Sequence, residues 1–204
     1  LKLAVLLSGS GTTLENIFQK SAAGTLHADV ALVVASRSDA FGVERAKRRG
    51  VSARVVEKKQ FKNTAEFSQA LFDVITPYSP DLIVLAGFMS LLKIPPQYKN
   101  KVINVHPALL PAFGGKGFYG RHVHEAVLKH GCKLAGCTVH FVDDAYDQGP
   151  IIAQKAVPVL PDDTADSLAA RVQLAEREIY PEVIELIAQD RLRIENGRVC
   201  VTPG

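Results

Sequence analysis

The 204-residue chain is predicted to be an α/β protein, a mostly parallel mixed sheet flanked by helices. Three observations carry that prediction. Short apolar runs (Leu1 to Leu7 save Lys2, Val30 to Ala35, Asp81 to Gly87) are continuous rather than alternating, as in strands buried on both faces. Segments with apolar residues at helical spacing lie between them, which implies parallel strands joined by right-handed crossovers. Two later runs, 136–142 and 151–160, are close enough in sequence to pair antiparallel and make the sheet mixed.

The first strand, Leu1 to Leu7, runs into Ser8-Gly9-Ser10-Gly11-Thr12-Thr13-Leu14 and then a helix whose apolar stripe is Leu14, Ile17 and Phe18. Small residues before a helix leave backbone N–H groups open at its N-terminus, where an anion is favoured. The loop is a candidate phosphate cradle; a tight strand-to-helix turn without a ligand is the alternative. It is neither Gly-x-Gly-x-x-Gly, because position 14 is Leu, nor a Walker loop, because it lacks the lysine. Val30 to Ala35 is the second strand, Phe41 to Arg49 a helix stopped by Gly50, and Ala53 to Glu57 a third, shorter strand. Thr64 to Ile75 is an amphipathic helix with Phe67, Ala70, Leu71 and Val74 on one face, closed by Pro77 and Pro80. After the fourth strand, Asp81 to Gly87, the segment Phe88 to Leu92 stays apolar, either as plain core or as the wall of a pocket for a flat ring.

The fifth strand holds the main candidate for chemistry. The apolar run Val102 to Val105 stops at Pro107, which cannot donate to a ladder, so His106 falls at the C-terminal lip of the sheet, where ligands of open α/β sheets bind. Strand alternation puts Asn104 and His106 on one face. An amide that donates to a developing oxyanion beside an imidazole that titrates near neutrality suits transfer to or from a carbonyl. The ends of strands one, four and five should gather Ser8 to Thr13, Gly87 to Leu92 and Asn104 to His106 along one edge.

Ala112 to Gly120 contains four glycines in nine residues and is read as a loop of the kind that closes over substrates. A helix from Arg121 to His130 ends at Gly131. The strand 136–142 puts Thr138 and His140 on one face and leads into Asp143-Asp144-Ala145-Tyr146-Asp147-Gln148-Gly149-Pro150, an acidic turn. A carboxylate beside His106 would favour the imidazolium and raise its pKa, and three aspartates compete for that part. Beyond the strand 151–160, Thr164 to Ala188 is a long helix with Leu168, Val172, Ala175, Ile179, Val183 and Leu186 on its buried stripe, and Pro181 interrupts its ladder as a potential kink. Arg191 to Val201, centred on Asn196-Gly197, reads as a terminal hairpin. No repeat or linker divides the chain, which implies one domain over 1–204.

Composition narrows the class. An apolar fraction of 47%, a charged fraction of 22% and a net charge of +3 describe an ordinary globular protein. The basic residues are dispersed with few interleaved aromatics, which argues against a nucleic-acid surface, and small anionic partners suit the modest positive balance. No apolar run reaches a membrane span and no signal pattern opens the chain. Cys132, Cys137 and Cys200 form no disulfide framework. His130, Cys132, Cys137 and His140 do not match zinc spacing, and on a strand Cys137 and His140 face opposite sides, so no metal is expected.

Asn104-Val105-His106-Pro107-Ala108-Leu109-Leu110-Pro111, with Thr138-Val139-His140-Phe141-Val142 and Asp147-Gln148-Gly149-Pro150 downstream, resembles the folate-dependent formyltransferases. Ser8 to Leu14, Leu85-Ala86-Gly87-Phe88-Met89 and the segment Arg171 to Pro181 narrow the resemblance to the branch that acts on phosphoribosylglycinamide, and the likeness spans essentially the whole chain. It implies a Rossmann-like formyltransferase fold and transfer of the formyl group of 10-formyltetrahydrofolate, the co-substrate, to the amine of 5'-phosphoribosylglycinamide in purine (IMP) biosynthesis. It implies Asn104, His106 and Asp147 as catalytic residues, with Asn104 and protonated His106 stabilising a tetrahedral intermediate. Asp147, rather than Asp143 or Asp144, would support the imidazolium and an ordered water, and His140 would be a secondary active-site histidine. Gly11, Thr12 and Thr13 would bind the ribonucleotide's phosphate, and Gln173 and Glu176 the rest of it. Met89, Ser90, Leu91, Leu92, Val142, Asp143, Asp144 and Asp147 would form the folate pocket. The first half, 1–101, would thus bind phosphate and the second, 102–204, would hold the catalytic and folate-binding groups.

The sequence departs from the family at Thr12-Thr13, where Ser-Asn is common, and at Thr64 and Ser90, where relatives often carry arginines near the folate's glutamate tail; Lys62 is a candidate substitute. A related formyltransferase or formyl-folate hydrolase would share the Asn, His and Asp machinery, and a non-catalytic nucleotide- or folate-binding module would need only the first loop and the sheet. The expected partners are small molecules, with no nucleic acid or membrane, for a monomer or homodimer. Its expected place is the cytoplasm, or a plastid or mitochondrion after leader removal, which the initial Leu1 permits.

Overall fold

A computed structural model describes residues 1–203. Its elements are β1 (Lys2–Leu7), α1 (Thr12–Ala22), β2 (Asp29–Ala35), α2 (Gly42–Arg48), β3 (Ser52–Val55), α3 (Thr64–Ile75), β4 (Leu82–Leu85), β5 (Val102–His106), α4 (Arg121–Lys129), β6 (Leu134–Phe141), β7 (Ile151–Pro158), α5 (Ala165–Ala188), β8 (Leu192–Glu195) and β9 (Arg198–Val201). The strands form a seven-stranded sheet in the order β3-β2-β1-β4-β5-β6-β7 and a separate β8-β9 hairpin. β1 pairs parallel with β2 and β4, β2 with β3 and β4 with β5, while β6 and β7 are antiparallel. The mostly parallel mixed sheet with flanking helices is the fold class expected from the pattern.

The chain divides into two compact units, Leu1–Asn104 and Val105 onward. In the first, β1 beyond Lys2, β2 from Leu32 to Ala35 and all of β4 are buried, which is why they read as unbroken apolar runs. Leu14, Ile17, Phe67, Leu71 and Ile75 present the helix stripes to that core. Asn63 caps α3 by accepting the Glu66 N–H at 2.9 Å, and Glu66 returns to accept the Lys62 N–H at 3.2 Å. β3 stops two residues before the expected Glu57. Val56 N–H still reaches the Ala35 carbonyl at 2.9 Å, but Glu57 turns aside to take the Ser38 hydroxyl at 2.7 Å. β4 ends before Gly87, whose φ of 71° leaves the extended region.

In the second unit α5 packs on β6, β7 and α4. Thr164 lies one residue outside α5 as its N-cap, in a reciprocal box with Ser167. The helix runs through Pro181, which is buried inside it. The missing N–H leaves one carbonyl of the preceding turn without its usual donor, and the buried stripe on either side of the proline holds the helix together.

Candidate active site

In the first unit, Ser8 N–H donates to the Gly87 carbonyl at 3.1 Å and Met89 N–H donates to the Ser8 hydroxyl at 3.1 Å. The ends of β1 and β4 therefore meet, as expected. On β5 Asn104 stands in register with Leu85, two residues before Gly87, so the edge includes Asn104 as well. The loop before α1 is shaped by Gly11, at φ 71°; a Cβ there would lie 2.7 Å from the Gly42 Cα. Arg45 braces the same loop, donating to the Ser10 carbonyl at 2.9 Å and to Glu15 at 3.3 Å. Thr12 is exposed and Thr13 half-buried at the open N-terminus of α1. Met89 is exposed, Ser90 and Leu91 are half-buried and Leu92 is buried.

In the second unit the organising group is the Asp147 carboxylate. Its Oδ2 lies 3.5 Å from His106 Nδ1 and its Oδ1 lies 3.6 Å from His140 Nε2. Oδ2 also accepts the Gly115 N–H at 2.9 Å. Each imidazole is committed at its other nitrogen: His106 donates from Nε2 to the Phe113 carbonyl at 2.8 Å, and His140 donates from Nδ1 to the Phe141 carbonyl at 2.8 Å. A carbonyl can only accept, so both protons are fixed there, and the nitrogens facing Asp147 carry lone pairs when the rings are neutral. Two lone pairs toward one carboxylate is a poor arrangement, and a single added proton relieves it by bridging Asp147 to either ring. One carboxylate is thus shared by two buried rings.

Of the three competing aspartates, Asp147 turns to the imidazoles through a backbone φ of 55°, whereas Asp143 accepts the Ala145 N–H within the turn and Asp144 is exposed. The expected rise in the His106 pKa is corrected. Burial outweighs the attraction of Asp147 and of the Phe113 carbonyl, the His140 charge acts with burial, and the imidazole sits below its ordinary value of 6.5. Burial would raise the Asp147 carboxyl, but the hydrogen-bonding His140, the His106 charge and the Gly115 N–H prevail and hold it below the usual range.

Other groups complete this unit's site. Thr138 donates to the Ala108 carbonyl at 2.7 Å and accepts from Leu110 N–H at 3.0 Å and from Gln154 at 2.9 Å, which fixes the segment that follows His106. Backbone groups of Phe113 and Gly115 take part only because the loop folds over the cluster. His124 on α4 is buried, and its Nδ1 has no hydrogen-bond partner among the described residues. Elsewhere, Gln173 is exposed on α5, while burial pushes the half-exposed Glu176 carboxyl up to about 7 against the pull of Arg177. Burial raises the Cys137 thiol to about 12, which makes it a packing group. Among the described residues no group of three or more His, Cys, Asp or Glu is placed to hold a metal ion, and no helix is long and apolar enough to cross a membrane.

The low His pKa values make stability pH-dependent. Burial, joined by the His106 charge, also lowers the His124 pKa. The unfolded chain takes up protons near 6.5 that both folded imidazoles refuse, so their contribution is complete above that pH and is lost as pH falls through the folded values. Between pH 7 and 5 the two imidazoles pull the urea midpoint down, while Glu176, whose raised carboxyl takes up its proton first in the folded chain, pulls it up. His124→Gln should reduce the slope by up to about 1.4 kcal/mol per pH unit, the value for one proton; an unchanged slope would remove His124 from the titration.

The chain matches the family model for formyl transferase over residues 1–184. It is 39% identical over 193 residues to "Phosphoribosylglycinamide formyltransferase, chloroplastic" from Vigna unguiculata, covering 94% of this chain and 62% of that protein. It is 39% identical over 202 residues to the "Trifunctional purine biosynthetic protein adenosine-3" of Bos taurus, covering 98% of this chain and 20% of that protein. The chain thus spans less than two thirds of the length of these curated relatives. Among solved structures, glycinamide ribonucleotide transformylase 1 from Symbiobacterium toebii superposes with a TM-score of 0.92 at 42% identity, covering 100% of this chain and 94% of that one. A match that takes in β1 through most of α5, with a solved relative alike over almost its full length, places the chain in the formyl transferase family.

Proposed function

We propose that the protein transfers the formyl group of 10-formyltetrahydrofolate to the amine of 5'-phosphoribosylglycinamide, a step of purine (IMP) biosynthesis. The observation that carries the reading is the Asp147 carboxylate set between two imidazoles whose other nitrogens are already committed. Family membership and the names of the relatives support the substrates.

In this reading the amine attacks the formyl carbon, a C–N bond forms and the carbonyl electrons move to oxygen. Collapse breaks the bond to N10 of the folate, and the proton given up by the amine ends on N10. Asn104 donates its side-chain N–H to the oxyanion, from the same face of β5 as His106. When His106 takes a proton at Nδ1, its 3.5 Å contact with Asp147 becomes an ion pair, and Nε2–H is then donated to the oxyanion in place of the Phe113 carbonyl. The glycine-rich segment carrying Phe113 must release that nitrogen first. A water held by Asp147 relays the proton, and His140 shares it through the other carboxylate oxygen.

Gly11, Thr12 and Thr13 receive the ribonucleotide's phosphate on backbone N–H groups at the start of α1. Gln173 and Glu176 bind the remainder; a carboxyl that titrates near 7 can both donate to and accept from sugar hydroxyls. Met89, Ser90, Leu91, Leu92, Val142, Asp143, Asp144 and Asp147 form the folate pocket. Gly11→Ala, with its Cβ 2.7 Å from Gly42, tests the phosphate role. It should raise the ribonucleotide KM about tenfold, with a smaller effect on the folate KM. Equal changes in both would point to general damage.

The deciding measurement is the spectroscopic loss of formyl from 10-formyltetrahydrofolate with and without the ribonucleotide. Turnover that requires the ribonucleotide is expected. Equal turnover without it would identify a hydrolase, and none in either case with folded protein would remove the catalytic reading.

A further inference from the structure

Within the first unit α2 touches the loop before α1 more closely than a crossover helix requires. A Cβ on Gly11 would lie 2.7 Å from the Gly42 Cα, and one on Gly42 would lie 2.4 Å from the Leu7 side chain, so glycine on both sides lets β1, the loop and α2 meet. Two donors of α2 reach the loop's carbonyls across this contact. Gly42 N–H donates to the Gly9 carbonyl at 3.2 Å, and Arg45 Nε–H donates to the Ser10 carbonyl at 2.9 Å. The Arg45 side chain, 27% exposed, is itself held in place. Its guanidinium lies 5.2 Å from the centroid of the Phe41 ring, and Nη1 donates to Glu15 at 3.3 Å, whose other oxygen takes Arg49 at 2.8 Å.

A trans peptide is planar, with its C=O and N–H pointing in opposite directions. The Gly9 and Ser10 carbonyls are both drawn to α2, so the N–H groups that share their peptides, those of Ser10 and Gly11, are turned away from it. Neither has an acceptor among the described residues. Gly11, left-handed at φ 71° and ψ 30°, gives the successive amides the curvature of an anion-binding nest, which continues into the open N–H groups of Thr12 and Thr13. The charges act in the same sense. Glu15, in the first turn of α1, would repel an anion there, but Arg45 and Arg49 outweigh it and leave a surplus of positive charge behind the loop.

We infer that Arg45 is a positioning residue for the ribonucleotide: by holding the Ser10 carbonyl from behind, it aims the Gly11 N–H at the phosphate before the substrate arrives. The inference rests on the ribonucleotide reading above and adds to it a side chain on another helix that acts only through the loop. Without this brace the peptide between Ser10 and Gly11 is free to turn over, which would present a carbonyl oxygen to the anion in place of an N–H. The cost falls on binding of the phosphorylated substrate, because a preset nest pays its ordering in advance.

The test is steady-state formyl transfer by the full chain carrying Arg45→Met, which keeps the stem but has no donor, or Arg45→Gln, whose amide nitrogen takes the place of Nε without the charge. Arg45→Met should raise the ribonucleotide KM about tenfold and leave kcat and the folate KM unchanged, while Arg45→Gln should stay within about threefold of the unmodified protein. An unmoved ribonucleotide KM in Arg45→Met would overturn the inference. So would an Arg45→Gln as impaired as Arg45→Met, since charge rather than the brace would then be at work, or a fall in kcat with both KM values raised alike, the mark of general damage. One readout needs no variant and stands even if Arg45→Met does not fold: the Gly11 amide proton resonance of the unmodified protein should shift downfield on adding the ribonucleotide, and a resonance that stays in place would refute the aim of that N–H. Normal turnover alongside any of these failures removes Arg45 alone, whereas no ribonucleotide-dependent turnover in the unmodified protein refutes the functional reading beneath it.

Discussion

Replacing His106 by Asn lowers kcat for formyl transfer about a thousandfold, the scale of a lost general acid–base group, while the KM values of both substrates change little. The asparagine keeps an N–H to donate but cannot accept and hold a proton opposite Asp147. It therefore removes the step in which the 3.5 Å contact becomes an ion pair. Asp147→Asn should cost less, about a hundredfold, because Asn104 still meets the oxyanion and His106 can still protonate. The sign of its pH effect is informative. The Asp147 charge raises the His106 pKa against the stronger effect of burial; removing it lets burial act with less opposition, so the pKa falls further and the corresponding limb of the pH–rate profile moves to lower pH. Full turnover in His106→Asn, with both ligands bound, would remove the imidazole from the mechanism. A limb moving upward in Asp147→Asn would mean that the carboxylate does not face the titrating ring.

How far such a site can be read in advance depends on which forces place each group. The end of β5 was legible because an apolar run stopped by Pro107 is a local signal, and alternation alone sets Asn104 and His106 on one face. The parallel sense of the sheet followed from apolar runs alternating with helical patterns, and α3 matched its expected limits because Asn63 and Pro77 punctuate it. Asp147 was not legible from chemistry, since three acidic residues share the turn. What selects it is a left-handed backbone at Asp147 together with the contact of the turn on Phe141, neither of which leaves a periodic trace. The Phe113 carbonyl and the Gly115 N–H belong to the backbone and are invisible to any reading of side chains. The pKa of His106 went against expectation for a related reason. A neighbouring carboxylate can be guessed from a motif, but burial is the sum of distant packing and here it is the larger effect.

Gly149→Ala should both destabilise the protein and slow it, although Gly149 carries no functional atom. A Cβ at Gly149 would lie 1.9 Å from the Phe141 carbonyl oxygen and 2.8 Å from its carbon, and neither is the movable end of a flexible side chain. The need is for space rather than for a special φ. That carbonyl is the acceptor that orients His140, and Phe141 N–H is bonded to the Pro150 carbonyl at 2.9 Å, so β6 and the acidic turn are closed at this point. An alanine must push the turn away, which moves Asp147 off both imidazoles. We expect a loss of about 3 kcal/mol in unfolding free energy, the upper range for forced overpacking. The fraction that stays folded at low temperature should show a kcat reduced at least tenfold. Gln148→Ala, at the exposed neighbouring position, should change stability by no more than about 0.5 kcal/mol. If Gly149→Ala unfolded at the same urea midpoint as the unmodified protein, the close approach would not be what sets the turn. If it lost stability but kept full kcat in the folded fraction, Asp147 would hold its place without Gly149, and the turn's backbone rather than its packing would aim the carboxylate.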